Sequence, residues 1–210
     1  MKLTFGALLF VITICLSNAQ YGNVELSTGG FSFIPAFTDT NPNIIFNAGT
    51  GTQKRLSAHL IGSVRTADMS PRGFIFITRL KLIDKKFKLN LGTHLPAVQV
   101  DENHHMDTFF AQEITMSYPI SEKWMLSSMY IHGKGKNNDL EINLLTVNAQ
   151  TSWGKFGFLS QGYILDLDQT YGVAETVSYS LNPRFTLKGF VNQTLSNNDF
   201  KWTLGLAYKL

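Results

Sequence analysis

The sequence predicts an all-β fold: a closed antiparallel up-and-down transmembrane β-barrel of about 12 strands with short periplasmic turns. Three observations predict it. Apolar residues alternate with polar or small ones through segments of roughly 9–12 residues, the pattern of a strand with two unlike faces. The breaks between segments are of two kinds, tight and longer, and these alternate along the chain. Charged residues make up only 16% of the 210 residues, against about a quarter in a soluble domain.

Composition narrows the function classes. Aromatics at 12% and a net charge of +3 exclude a disordered chain. No dense Lys/Arg run is present, so no nucleic-acid partner is expected. The longest apolar run, 5–16, is too short for a membrane-spanning helix, which needs about 20 residues.

The elements follow in chain order. Residues 1–19 read as a secretory signal peptide. Met1-Lys2 is the basic start, 5–16 the apolar stretch, and Ser17-Asn18-Ala19 the small-residue cleavage site. The lone Cys15 leaves with it, which removes disulfides and cysteine metal sites from the mature chain. Residues 20–28 read as an N-terminal extension and 29–210 as the barrel. The expected strands are 29–37, 43–49, 55–66, 72–83, 87–99, 108–119, 124–133, 139–152, 156–167, 172–181, 185–195 and 200–210. In the third, Leu56, Ala58, Leu60 and Val64 oppose Ser57, His59, Ser63 and Arg65. In the fourth, Phe74, Phe76, Leu80 and Leu82 oppose Ile75, Ile77, Arg79 and Lys81. In the fifth, Phe87, Leu89 and Leu91 oppose Lys88, Asn90 and Gly92, and in the eleventh Phe185, Leu187 and Val191 oppose Thr186, Lys188 and Asn192. The last is the most regular: Phe200, Trp202, Leu204, Leu206, Tyr208 and Leu210 against Lys201, Thr203, Gly205, Ala207 and Lys209. Some positions resist the pattern. Pro35 interrupts the first segment, since it cannot donate a ladder bond. The segments between 108 and 152 alternate imperfectly, and strict parity puts Gln112 and Glu175 on the apolar face.

The tight breaks are Asp84-Lys85-Lys86, Ser121-Glu122-Lys123, Gly154-Lys155 and Asn182-Pro183-Arg184, each beside an aromatic residue. An even strand count puts both termini beside them. Trp124, Trp153, Phe156, Phe185 and Tyr208 would form the girdle at that end, and Phe37, Phe74, Tyr130, Tyr163, Tyr171 and Phe200 the outer one. A sandwich would carry more charge on its second face. Here that face is mostly Ser, Thr, Asn, Gly and Gln, which suits a narrow wet or hydrogen-bonded interior.

The terminal strand Trp202-x-Leu204-x-Leu206-x-Tyr208-x-Leu210 resembles the C-terminal signal of outer-membrane β-barrel proteins of Gram-negative bacteria, with Leu210 where an aromatic is usual. The chain looks like one of the small barrels of that group. The resemblance implies location in the outer membrane, contact with its lipid, and recognition of the last strand by the barrel-assembly machinery. It carries over no catalytic or ligand motif.

The lumen- or solute-facing candidates are Arg65, Arg79, Lys81, Lys88, Lys188, Glu113 and Asp166, with Glu141 and Glu175 as further acids. Paired, such charges fill and stiffen a barrel; unpaired around water, they line an anion-preferring channel. The loop 101–107 holds His104 and His105 among acids, but neighbouring residues in an extended loop point apart, so a solvated loop is the reading and no metal is assigned. No cofactor is expected. Serines lie near His59 and His132, but a catalytic set depends on geometry, so no catalytic residue is assigned. The sequence therefore reads as an outer-membrane barrel with a narrow polar lumen, passing or binding a small polar solute. Two alternatives stay open: a filled structural or adhesion barrel, and a lipid-modifying enzyme.

Overall fold

The structure is a computed structural model that describes residues 21–30, 34–38, 40–51, 54–101, 103 and 105–210. The signal-peptide reading of 1–19 lies outside them. Twelve antiparallel strands close into one barrel, each paired with its neighbours in sequence, and the first pairs with the last. They are β1 (Tyr21–Ser27), β2 (Asn43–Gly49), β3 (Leu56–Arg65), β4 (Pro71–Asp84), β5 (Lys88–Val100) and β6 (Met106–Pro119), followed by β7 (Trp124–Gly135), β8 (Glu141–Trp153), β9 (Phe156–Leu165), β10 (Thr170–Ser180), β11 (Phe185–Thr194) and β12 (Asp199–Lys209). Closure leaves no open sheet edge, which hydrocarbon would penalise by several kcal/mol for each unpaired backbone group.

One expected strand is corrected. The wall begins at β1, inside the stretch read as an extension, and the described residues of 29–37, namely 29–30 and 34–37, are not in a strand. Asn23, Glu25 and Ser27 alternate with Val24 and Leu26 there, and Val24 pairs with Tyr208 and with Phe46. Of 29–37, the part around Pro35 forms a short 3-10 helix, Pro35–Phe37, consistent with a residue that cannot donate to a ladder. The expected ninth strand also ends early: Leu167–Gln169 is a 3-10 turn.

The barrel has two unlike ends. The connections 85–87, 120–123, 154–155 and 181–184 are tight, and 50–55 joins them at what we term the turn end. The terminal strands start and finish there too; the Leu210 amide donates to the Gly22 carbonyl at 3.0 Å. The connections 28–42, 66–70, 101–105, 136–140, 166–169 and 195–198 form the loop end.

The outer wall is apolar. Val24, Leu26, Leu91, Ile114, Val147, Ile164, Val173, Trp202 and Leu204 all point away from the lumen and are exposed. Trp124, Trp153 and Phe156 are exposed at the turn end, and Phe185 packs on Tyr208 with tilted rings, 5.0 Å between centroids. Tyr130, Tyr171 and Phe200 are exposed toward the loop end. Two expected girdle residues are corrected. Tyr163 is buried inside, and Phe37 belongs to the 3-10 helix. Gln112 keeps the parity of exposed Phe110 and Ile114, and Glu175 that of Val173 and Val177, so both face outward without a bulge.

Candidate functional site

The lumen is divided into halves of opposite chemistry. At the loop end, Ala111, Met129, Ile131, Leu144, Tyr163 and Leu165 point inward and form a buried cluster. Ile34 and Ala36, from the β1–β2 connection, pack against it with Ile142 and Leu167. Ile34 and Ala36 therefore lie inside the barrel. The 3-10 helix is closed by Thr38 N–H donating to the Pro35 carbonyl at 3.1 Å. The Asn192 side-chain amide donates to the same carbonyl at 3.2 Å, and Tyr163 Oη donates to Asn192 Oδ1 at 3.0 Å. Pro35 and Thr38 are both buried. A fully buried aliphatic side chain of the cluster, such as Ile131 or Leu144, contributes about 1.5–3 kcal/mol of burial.

Below this plug lies a cavity of about 550 Å³. Met129 borders both regions. The cavity wall carries Lys54, Arg55, Arg79, Lys81, Lys88 and Lys188, with Glu25 as the only carboxylate among its lining residues. Asn47, Ser57, His59, Asn90, Thr115, Ser127, Asn148 and Gln161 supply neutral polar groups. The cations reach it from the turn-end halves of β4, β5 and β11 and from the 50–55 connection.

Two ion-pair networks hold this wall. Glu113 is 2% exposed, and its carboxylate accepts from Arg79 Nε and, at 3.1 Å, from Arg79 Nη2. His94 Nε2 lies 2.8 Å from Glu113 Oε2. A carboxylate this deep needs such partners, because an unpaired charge would cost several kcal/mol. Glu113 also needs space. Gly92 faces it across the β5–β6 pair, where a Cβ would lie 2.6 Å from Glu113 Cγ. The second network is Lys188 Nζ donating to Glu25 Oε2 at 2.5 Å; Glu25 also lies over a glycine, Gly205, which is diagonal to it across the β1–β12 pair. Lys81 Nζ donates to Asp84 Oδ2 at 2.7 Å.

The predicted lumen residues separate into three groups. Arg79, Lys81, Lys88 and Lys188 surround the one cavity. Glu113 is wedged behind Arg79. Arg65 and Asp166 sit apart, at the loop end. Arg65 Nη2 donates to the Val100 carbonyl at 2.6 Å and Nη1 to Ser70 Oγ at 3.1 Å, tying two loops together. Asp166 is exposed, and its two oxygens accept from the Asn143 amide and the Asn143 side chain, each at 2.6 Å. Those bonds, the backbone one first, hold its carboxyl below the usual carboxylate range. Glu141 and Glu175 share the parity of exposed Leu145 and Val173, so they face outward and not into the lumen.

Sequence reasoning missed Glu25, Tyr21, Lys54 and Arg55. The first two sit in a strand taken for an extension, although Val24 and Leu26 between Asn23, Glu25 and Ser27 carried the alternation. The last two sit in a turn, where periodicity says nothing about direction.

The histidines occupy different surroundings. His59 lies on the cavity wall. His132 faces outward with its Nδ1 2.9 Å from Asn143 Oδ1, away from cavity-lining Ser127. In the 101–107 loop, the His105 amide donates to Asp101 Oδ1 at 2.8 Å, while Glu102 and His104 lie outside the described residues. Among the described residues no three metal-ligating side chains converge.

Sequence comparison matches no protein-family model and no curated protein. Solved structures do share the fold. A structure described as "KdgM porin in complex with disordered oligogalacturonate" superposes with a TM-score of 0.66 at 7% identity, over 90% of this chain and 98% of the other. A NanC porin superposes with a TM-score of 0.62 at 11% identity, over 90% of this chain and 100% of the other. The architecture of this chain is thus that of small porins.

Proposed function

We propose that this barrel sits in an outer membrane and takes small anionic solutes into the basic cavity at its turn end, with the 34–38 segment controlling passage toward the loop end. The apolar outer wall and its aromatic rims support the membrane placement, since a closed strand wall is what hydrocarbon tolerates. The observation that carries the solute class is the cavity lining: of its six Lys and Arg side chains, three are ion-paired with Glu113, Asp84 and Glu25, which leaves the wall with an excess of positive charge. An excess of one sign in a narrow lumen favours the opposite ion. The fold neighbour described with oligogalacturonate, an acidic oligosaccharide by its name, supports the same class.

The test is single-channel recording of the purified, folded protein in a planar bilayer. Wild-type protein should show small conductance steps and a reversal potential on the anion side. Lys81→Glu with Lys88→Glu should move that potential toward cations. Ile34→Asp puts a charge against the apolar cluster and should raise conductance. A folded barrel that stays silent in wild type and in Ile34→Asp alike would leave a filled structural barrel as the reading.

A further inference from the structure

We propose that Ser57, His59 and Tyr21 form a nucleophile, base and positioning residue on the cavity wall, able to cleave an acyl ester carried by a solute bound there. Ser57 and His59 are two apart on β3, so both point into the lumen, and each is more than nine-tenths buried. His59 Nε2 lies 3.2 Å from Ser57 Oγ. The other ring nitrogen, Nδ1, is hydrogen-bonded to Tyr21 Oη. A hydroxyl on one imidazole nitrogen and a polar orienter on the other is the arrangement that nucleophilic acyl transfer needs.

A second observation shows that the arrangement is built into the wall. Gly49 stands between the two side chains, and a Cβ there would lie 2.6 Å from Tyr21 Oη and 2.8 Å from His59 Nδ1. Only glycine leaves that hydrogen bond intact. Arg79 faces Ser57 in the β3–β4 register and lines the same cavity, with its Nε and Nη2 held by Glu113.

The chemistry balances without a cofactor. With the imidazole proton on Nδ1, Ser57 O–H donates to Nε2. Ser57 Oγ bonds to the acyl carbon as its proton passes to Nε2 and the carbonyl electron pair moves to oxygen. The tetrahedral species collapses, the bond to the alcohol oxygen breaks, and His59 returns the proton to that oxygen. Water then attacks the acyl-serine by the same path and releases a carboxylic acid. The anionic character of the solute rests on the proposed function; the nucleophile set does not.

A small neutral dialkyl fluorophosphate tests the set without relying on that reading. The detergent-folded protein is incubated with it, and the adduct is located by mass spectrometry. The expected result is one adduct, on Ser57, absent in Ser57→Ala. His59→Asn should slow labelling by about 100-fold or more, the usual contribution of a general base. Tyr21→Phe should slow it at temperatures where the variant is fully folded, whereas a merely structural hydroxyl would lower the unfolding temperature and spare the rate; an unchanged rate would remove Tyr21 from the set. No adduct on Ser57, or an adduct that forms as fast in His59→Asn, would overturn the proposal. Anion selectivity that fails while Ser57 labels would overturn the solute reading and leave the nucleophile set standing.

Discussion

The two halves of the lumen solve the same packing problem with opposite chemistry. Both lie inside one strand wall, and both must satisfy whatever points inward. The loop half does it with aliphatic side chains and with a piece of chain folded in from the β1–β2 connection. The turn half does it with ion pairs and leaves a cavity. An apolar filler needs no partner of fixed geometry, so it can pack against the wall and narrow the space. Charges demand partners at fixed distances, and in a tube of this width the partners sit on the wall and the centre stays open. Filling and opening therefore follow from residue type more than from barrel diameter.

That contrast can be broken at either half. The largest effect is expected from Arg79→Ala. It strands Glu113 as a buried charge beside His94, and should cost about 3–5 kcal/mol. Chemical unfolding followed by gel mobility would read it, and Arg79→Ala with Glu113→Gln should recover part of the loss. Leu144→Ala, at a side chain with 0% exposure in the apolar cluster, should cost about 2–5 kcal/mol. It should also raise channel conductance, whereas a cavity change in the turn half would not. Lys81→Glu with Lys88→Glu should leave unfolding within about 1 kcal/mol, because neither lysine is deeply buried, while reversing the ion preference. The smallest effect is at the loop-end rim. The Asp166 carboxyl is held below its ordinary value of 3.8 by the Asn143 amide. Its stabilisation is therefore present above that ordinary value and is lost as pH falls through the lowered one. Asp166→Ala should remove this acid-side step and change neutral-pH stability by less than about 1 kcal/mol, since the group is exposed.

The wall was legible in the sequence where one face was apolar and the other polar. β12, with Trp202, Leu204 and Leu206 against Thr203 and Gly205, is the clearest case, and it pairs as its pattern demands. The parity of Gln112 and Glu175 was also legible, although both broke the chemical expectation for their face. The apolar plug was not. Ile131 and Leu144 belong to strands whose two faces are both apolar in places, so a period of two loses its contrast there. The polar lumen read from sequence describes only the turn half. Pro35 is a misfit within the expected strand 29–37 without cancelling that expectation; nothing local indicates that 34–38 will pack inside the barrel, since that depends on the space left by strands far away in sequence. The cationic site was legible in part. Arg79, Lys81, Lys88 and Lys188 come from strands with clean alternation, while Lys54 and Arg55 come from a turn.

Gly92 and Gly205 have a consequence beyond packing. Glu113 and Glu25 each occupy space that a neighbouring strand vacates by carrying no side chain. A methyl group added at Gly92 would overpack Glu113, at a cost of about 1–3 kcal/mol. A descendant of this barrel that adapts to a different cargo cannot move an acid around the lumen by one substitution. It must open a new vacancy next door and close the old one. The routes open to mutation are thus paired steps, and the glycines mark where the next acid can go.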